Sequence, residues 1–124
     1  MNKTHVFISH STEDRPAVEQ LLKQLDREHI SYWTDRNIRP GQDWASETER
    51  AIETAKIFVV YVTPSFLASH WAWVELGAAI AKNRQDGATV IPVILGPVEL
   101  PPVLEQFDPV QSTTELVRRI RSAA

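Results

Sequence analysis

The chain has 124 residues, a net charge of −3, 43% apolar residues and no cysteine, which suits one domain, 1–124, around one hydrophobic core. Mild acidity and scattered positive charges argue against direct nucleic-acid binding, and the missing thiols exclude disulfides, thiolate catalysis and zinc–sulfur sites. "MNKTHVFISH" lacks the apolar stretch of a signal peptide, and the longest apolar run, "IFVVYV" at 57–62, is too short to span a bilayer, so the expectation is a cytoplasmic protein without membrane contact.

"HVFIS" (5–9) is a β-rich apolar run of buried-strand length. "STED" follows, with Ser11 and Asp14 spaced like a capping box and Pro16 suited to a first helical turn. Val18, Leu21, Leu22 and Leu25 then recur at helical spacing. "ISYWT" (30–34) reads as a second strand, with Trp33 in the core. Residues 35–43, "DRNIRPGQD", form a loop punctuated by Pro40-Gly41. A helix is expected from Trp44 to Ala55, with Trp44, Thr48, Ala51 and Ala55 on one side. "KIFVVYVT" (56–63) is apolar without alternation, the mark of a strand covered on both faces, and Pro64 ends it. A helix follows from His70 to Asn83. "ATVIPVIL" (88–95) is another buried strand, where Pro92 suggests an irregular or edge position. "GPVELPPVLEQF" reads as loop and "DPV" as a short last strand. Ser112 or Thr113 caps a final helix carrying Leu116, Val117 and Ile120. Its "RRIR" cluster (Arg118, Arg119, Arg121) reads as a solvated face at a helix C-terminus.

Strands and helices thus alternate with short connections, the pattern of βαβ units. The expected fold is α/β: an open, flavodoxin-like, five-stranded parallel sheet with helices on both faces. Ligands of such sheets bind beyond the carboxyl ends of the strands, at the switch point. "SHSTED", "DRNIRPGQDW" and "TPSFLASHW" lie there. No glycine-rich phosphate loop, GxSxG elbow or HExxH is present, so no cofactor or metal is expected. A response-regulator reading fails too, because strand one ends in Ser-His-Ser and the third strand in Thr63-Pro64.

Four segments carry a resemblance. "VFISHSTEDR", "WTDRNIRPGQDW", "VVYVTPSFLASHWAWVEL" and "VIPVIL", in this order, resemble the boxes of the Toll/interleukin receptor (TIR) family over nearly the whole chain. The resemblance implies two classes of function. Some members are interaction modules that assemble with other TIR domains; others cleave NAD⁺ at the nicotinamide–ribose bond with a glutamate matched here by Glu75. It implies NAD⁺ as substrate, self-association into a homo-oligomer or filament, a fused or partner sensor or effector domain, and an immune role, antiphage defence in a bacterial host. The loop in "WTDRNIRPGQDW" matches the family's BB loop, whose Arg36, Arg39, Pro40 and Gly41 are assigned to assembly.

One carboxylate suits this chemistry. Glycosidases use two, one of them to protonate the leaving group. Nicotinamide leaves as a neutral pyridine and needs no acid. Glu75 alone can then hold the ribose and stabilise the developing positive charge. Trp71, four residues earlier, shares a helix face with Glu75 and either stacks on substrate or packs the core. Trp73 points roughly 200° away and is assigned to packing or a subunit contact. Trp44 matches an aromatic that either stacks on the base or seals the loop. His10 and Ser11 either contact ribose or phosphate or cap the first helix. The resemblance implies that Asp35 and Ile38 lie where the BB loop borders the cleft, with an Asx turn that starts the loop as the other reading of Asp35. The first loop has no phosphate-clamping arginine, a task left to Arg36 or Arg39. "LGAAIA" allows close packing on the sheet or on a neighbouring protomer.

The leading expectation is therefore a TIR-domain NAD⁺ glycohydrolase that yields nicotinamide and ADP-ribose or a cyclic isomer, activated by self-assembly. The alternatives are a non-catalytic TIR interaction module and a nucleoside deoxyribosyltransferase-like enzyme, which also uses a glutamate on a flavodoxin-like sheet.

Overall fold

A computed structural model describes residues 6–34 and 40–123. Strands β1 (Val6–Ser9), β2 (Ile57–Tyr61) and β3 (Thr89–Val93) form a parallel sheet in that order. Phe7 pairs with Phe58 and Ile8 with Val59, while Val59 pairs with Ile91. Alternation along the strands sorts these side chains to two faces. Val6, Ile8, Val59 and Ile91 pack with α1 (Arg15–Arg27) and α6 (Thr113–Ala123). Phe7, Phe58, Val60 and Val90 pack with α3 (Pro64–Ala68), α4 (His70–Asp86) and α5 (Pro102–Glu105), and α2 (Trp44–Thr54) adds Ala51 and Ile52. A sheet covered on both faces requires strands that are apolar throughout, and β2 is buried at every residue.

The sheet has three strands where five are expected; the outer two are reduced to single bridges, Trp33 to Phe7 and Val110 to Val93. Their placement still gives the flavodoxin-like order, with the second segment outside β1 and the last outside β3. Toward Asp108, the ladder at Val110 stops for a covalent reason. Val110 N–H donates to the Pro92 carbonyl and Ile94 N–H to the Val110 carbonyl, both at 2.9 Å. The next bond would need an N–H on Pro92, which proline lacks. The Asp108 carbonyl accepts from Arg119 Nη1 at 2.7 Å instead, and Asp108 itself has φ of 51°. Pro92 thus sits in a regular strand, with its donorless nitrogen turned to the weakly paired side. At the other edge, Trp33 N–H donates to Val6 and Ile8 N–H to Trp33, at 2.7 and 2.9 Å. The expected strand 30–34 is seen only as this bridge, and residues 35–39 lie outside the described residues.

The helix ends follow local side-chain chemistry. Pro64 does more than end a strand. It opens α3, whose first turn is capped by Thr63 Oγ1 accepting from Phe66 N–H at 3.0 Å. Ser69 Oγ accepts from Ala72 N–H at 3.3 Å and starts α4, which Gly87 ends with φ of 73°. Ser112 Oγ accepts from Glu115 N–H at 3.1 Å at the head of α6. The segment read as loop before "DPV" contains α5. The "RRIR" cluster is not simply solvated: Arg119 holds the carbonyls of Phe107 and Asp108, and Arg121 pairs with Glu28 at 2.8 Å. No helix among the described residues is long and apolar enough to cross a membrane.

Candidate functional site

Glu75 lies on the inner face of α4, at helical spacing from the buried Ala72, Leu76 and Ala79. It is 7% exposed, where an isolated glutamate on a helix would ordinarily be solvated. Ser9, the last residue of β1, faces the same side of the sheet as Phe7 and therefore looks toward α4. Its Oγ donates a buried hydrogen bond of 2.7 Å to Glu75 Oε1. Sequence reasoning missed Ser9. The available signal was its position, at the carboxyl end of the first strand, beside the switch point.

A cavity of about 230 Å³ opens at Glu75. Ile8, His10, Thr12, Trp33, Trp44, Ser69, Trp71 and Glu75 line it. Four chain segments meet there: the end of β1, the Trp33 bridge, the first residue of α2 and the first turns of α4. Trp71 precedes Glu75 by one helical turn, and its ring meets that of Trp44 at 4.5 Å between centroids with planes 50° apart. Both rings stay partly exposed, at 37% and 40%, so they form a mouth more than a core. Trp33 stacks on Phe7 at 5.1 Å. It is both packing and cavity wall, where the core role alone was expected. Trp73 turns away, as expected, and its Nε1 donates to the Leu67 carbonyl at 2.8 Å.

The first loop divides its residues between cavity and scaffold. His10 lines the cavity, and its Nδ1 lies 2.8 Å from the Ser11 carbonyl. Ser11 is buried and lies outside the cavity wall. It makes no side-chain cap; its Oγ donates to Asp14 Oδ2 at 2.7 Å. The same carboxylate oxygen accepts from Thr63 Oγ1. Asp14 therefore ties the loop after β1 to the loop after β2, the two segments that carry His10 and lead to Trp71. Burial, and then the Asp14 carboxylate, push the Tyr61 phenol above its ordinary pKa.

Of the residues expected at the site, Glu75, Trp71, Trp44 and His10 come together around one cavity, and Ser11 stands behind it. Asp35, Arg36, Ile38 and Arg39 lie outside the described residues. Pro40 and Gly41 are exposed, and Gly41 has φ of 89°, a conformation that glycine adopts without strain. Among the described residues, no group of three histidines or carboxylates is placed to hold a metal ion.

A family model described as "TIR domain" matches residues 6–121. The chain belongs to the TIR-domain family. Among solved structures, this TIR domain resembles that of the Toll-related receptor TRR-2 of Hydra magnipapillata, with a TM-score of 0.78 at 24% identity, covering 94% of this chain and 97% of that one. Among curated relatives, it is 32% identical over 91 residues to the disease resistance protein RPS6 of Arabidopsis thaliana, covering 72% of this chain and 8% of that protein. It is 25% identical over 89 residues to BtTIR of Bacteroides thetaiotaomicron, a 2′ cyclic ADP-D-ribose synthase, covering 70% of this chain and 31% of that protein. This TIR domain thus spans less than a third of the length of either relative.

Proposed function

We propose that this TIR domain cleaves NAD⁺ between nicotinamide and ribose. The observation that carries the reading is Glu75: a buried carboxylate, oriented by Ser9, at the base of a cavity walled by Trp44 and Trp71. The scissile carbon develops positive charge as nicotinamide leaves. A fixed carboxylate that is itself buried stabilises that charge more strongly than one in water. The departing ring is flat and aromatic, and the two tryptophans offer faces and edges for it to stack on. Ligand pockets usually measure about 300–1,000 Å³. At about 230 Å³, this cavity suits the nicotinamide–ribose end of the dinucleotide better than all of it. A relative that makes 2′ cyclic ADP-D-ribose supports the same chemistry here.

Self-association into a homo-oligomer or filament belongs to this proposal, with the BB-loop residues Arg36, Arg39, Pro40 and Gly41 assigned to the contact and immune signalling, antiphage defence in a bacterium, as the setting. A sensor or effector domain elsewhere in the same protein, or in a partner, would supply the trigger. The test is nicotinamide release by concentrated, crowded protein, with Glu75→Ala as control and mass spectrometry of the sugar product. Release that the substitution abolishes is the expected result. The second reading, a non-catalytic interaction module, is favoured by one feature: α4 also turns Trp73 and Val74 outward, at 38% and 45% exposure. Concentration-dependent association without nicotinamide release would favour that reading.

A further inference from the structure

The cavity holds a second titratable group besides the proposed catalytic carboxylate. His10 lines the wall that Glu75 also lines. The hydrogen bond at its Nδ1 decides the form of the ring. The Ser11 carbonyl, 2.8 Å away, can only accept, so Nδ1 carries the proton. In the neutral ring this leaves the basic lone pair on Nε2. Ser11 is itself held, because its Oγ donates to Asp14, which Thr63 also reaches. The backbone that orients the imidazole is thus anchored to two loops.

We propose that His10 is the general base for the nucleophile that captures the sugar after nicotinamide has left. This rests on the NAD⁺-cleaving reading. The step balances simply. The C1′–N1 bond breaks, and its electron pair stays on nicotinamide, which leaves neutral. A water oxygen, or a ribose hydroxyl in a cyclising turnover, bonds to C1′. Its proton passes to His10 Nε2 and from there to solvent. Glu75 stabilises charge in the first half of this sequence, and His10 removes a proton in the second. One carboxylate and one imidazole thereby divide work that two carboxylates do in glycosidases.

The division of labour gives a test that a merely structural histidine would fail. A pyridine base attacks C1′ through its ring nitrogen and has no proton to lose. Water does. NAD⁺ is supplied with 3-acetylpyridine, and exchanged dinucleotide and ADP-ribose are measured in the same reaction. His10→Asn keeps a donor near the Nδ1 position and deletes Nε2. General-base catalysis contributes about 10²–10⁴-fold. The ratio of exchange to hydrolysis is therefore expected to rise about tenfold or more in His10→Asn. A ratio that is unchanged or lower, as when a loosened cavity admits more water, overturns the proposal. If His10→Asn does not fold, His10→Gln is put to the same measurement. A second readout needs no turnover: ¹⁵N spectra of the resting protein with the ring neutral are expected to show the His10 ring proton on Nδ1 and none on Nε2, and the opposite tautomer overturns the assignment. Parent protein that neither releases nicotinamide nor exchanges it fails at the earlier step, and removes the NAD⁺ reading together with this inference.

Discussion

Ser9 and Glu75 are 66 positions apart in the chain and 2.7 Å apart in the fold. The bond joins the carboxyl end of β1 to the second turn of α4, so it links sheet geometry directly to the position of the carboxylate. A hydrogen bond to a charged group contributes about 1.5–3 kcal/mol, and more is lost when a buried charge is left with fewer donors. Ser9→Ala is expected to destabilise the fold by about that amount in urea denaturation. It should also lower nicotinamide release, because Glu75 loses a donor that helps to hold its rotamer.

Trp44 and Trp71 come from different elements and touch at the cavity mouth. Stacking of a base on an aromatic side chain is worth about 1–3 kcal/mol by alanine substitution. Trp71→Ala and Trp44→Ala should each raise the KM for NAD⁺ about tenfold, near the lower end of that range. Because the rings are in contact, the double variant should fall short of the product of the two effects. Trp73→Ala, on the outward side of α4, should leave KM unchanged.

Tyr61 predicts a pH dependence of stability. Its phenol is held neutral by burial, and secondarily by the Asp14 carboxylate, so its folded pKa lies above the unfolded one. Stability from this group is fully present below the unfolded phenol pKa of about 10, and is lost as pH rises through the folded pKa. Urea midpoints from pH 8 to pH 11 should show an alkaline decline in the parent that is shallower in Tyr61→Phe. Equal slopes in the two proteins would contradict the assignment.

Thr48 carries the opposite kind of cost. Its side chain is 1% exposed on α2, and among the described residues Oγ1 has no hydrogen-bond partner. An unsatisfied buried hydroxyl costs about 1–3 kcal/mol. Thr48→Val keeps the shape and removes the orphan, so the denaturation midpoint should rise with no change in slope.

Much of the fold was legible in the sequence because the cues were local. The runs at 5–9, 56–63 and 88–95 mark the three strands, and the apolar spacings of "AVEQLLKQL" and "ELVRRI" mark α1 and α6. What was illegible depended on partners far away in sequence. Pairing at Val110 does not extend toward Asp108 because Pro92, eighteen positions before Val110, has no N–H to offer. Pro64 punctuates a strand and opens a helix at once, and only the Thr63 cap distinguishes those roles. The same holds at the site. Trp71 and Glu75 could be paired from helical spacing, whereas Ser9 and Trp33 join them only through sheet register. Ser11 reads as a helix cap by spacing, yet its hydroxyl goes to the Asp14 side chain.

The most direct measurement is nicotinamide release by Glu75→Gln beside the parent, at equal, high protein concentration with a crowding agent. Glutamine keeps an acceptor for Ser9 and nearly the same volume, while it removes the charge and turns the other carboxylate oxygen into an NH2 donor. If the carboxylate stabilises the departing sugar cation, the parent releases nicotinamide and Glu75→Gln releases it about 10²-fold more slowly or less. Equal rates in the two proteins, or no release by assembled parent, would contradict the account.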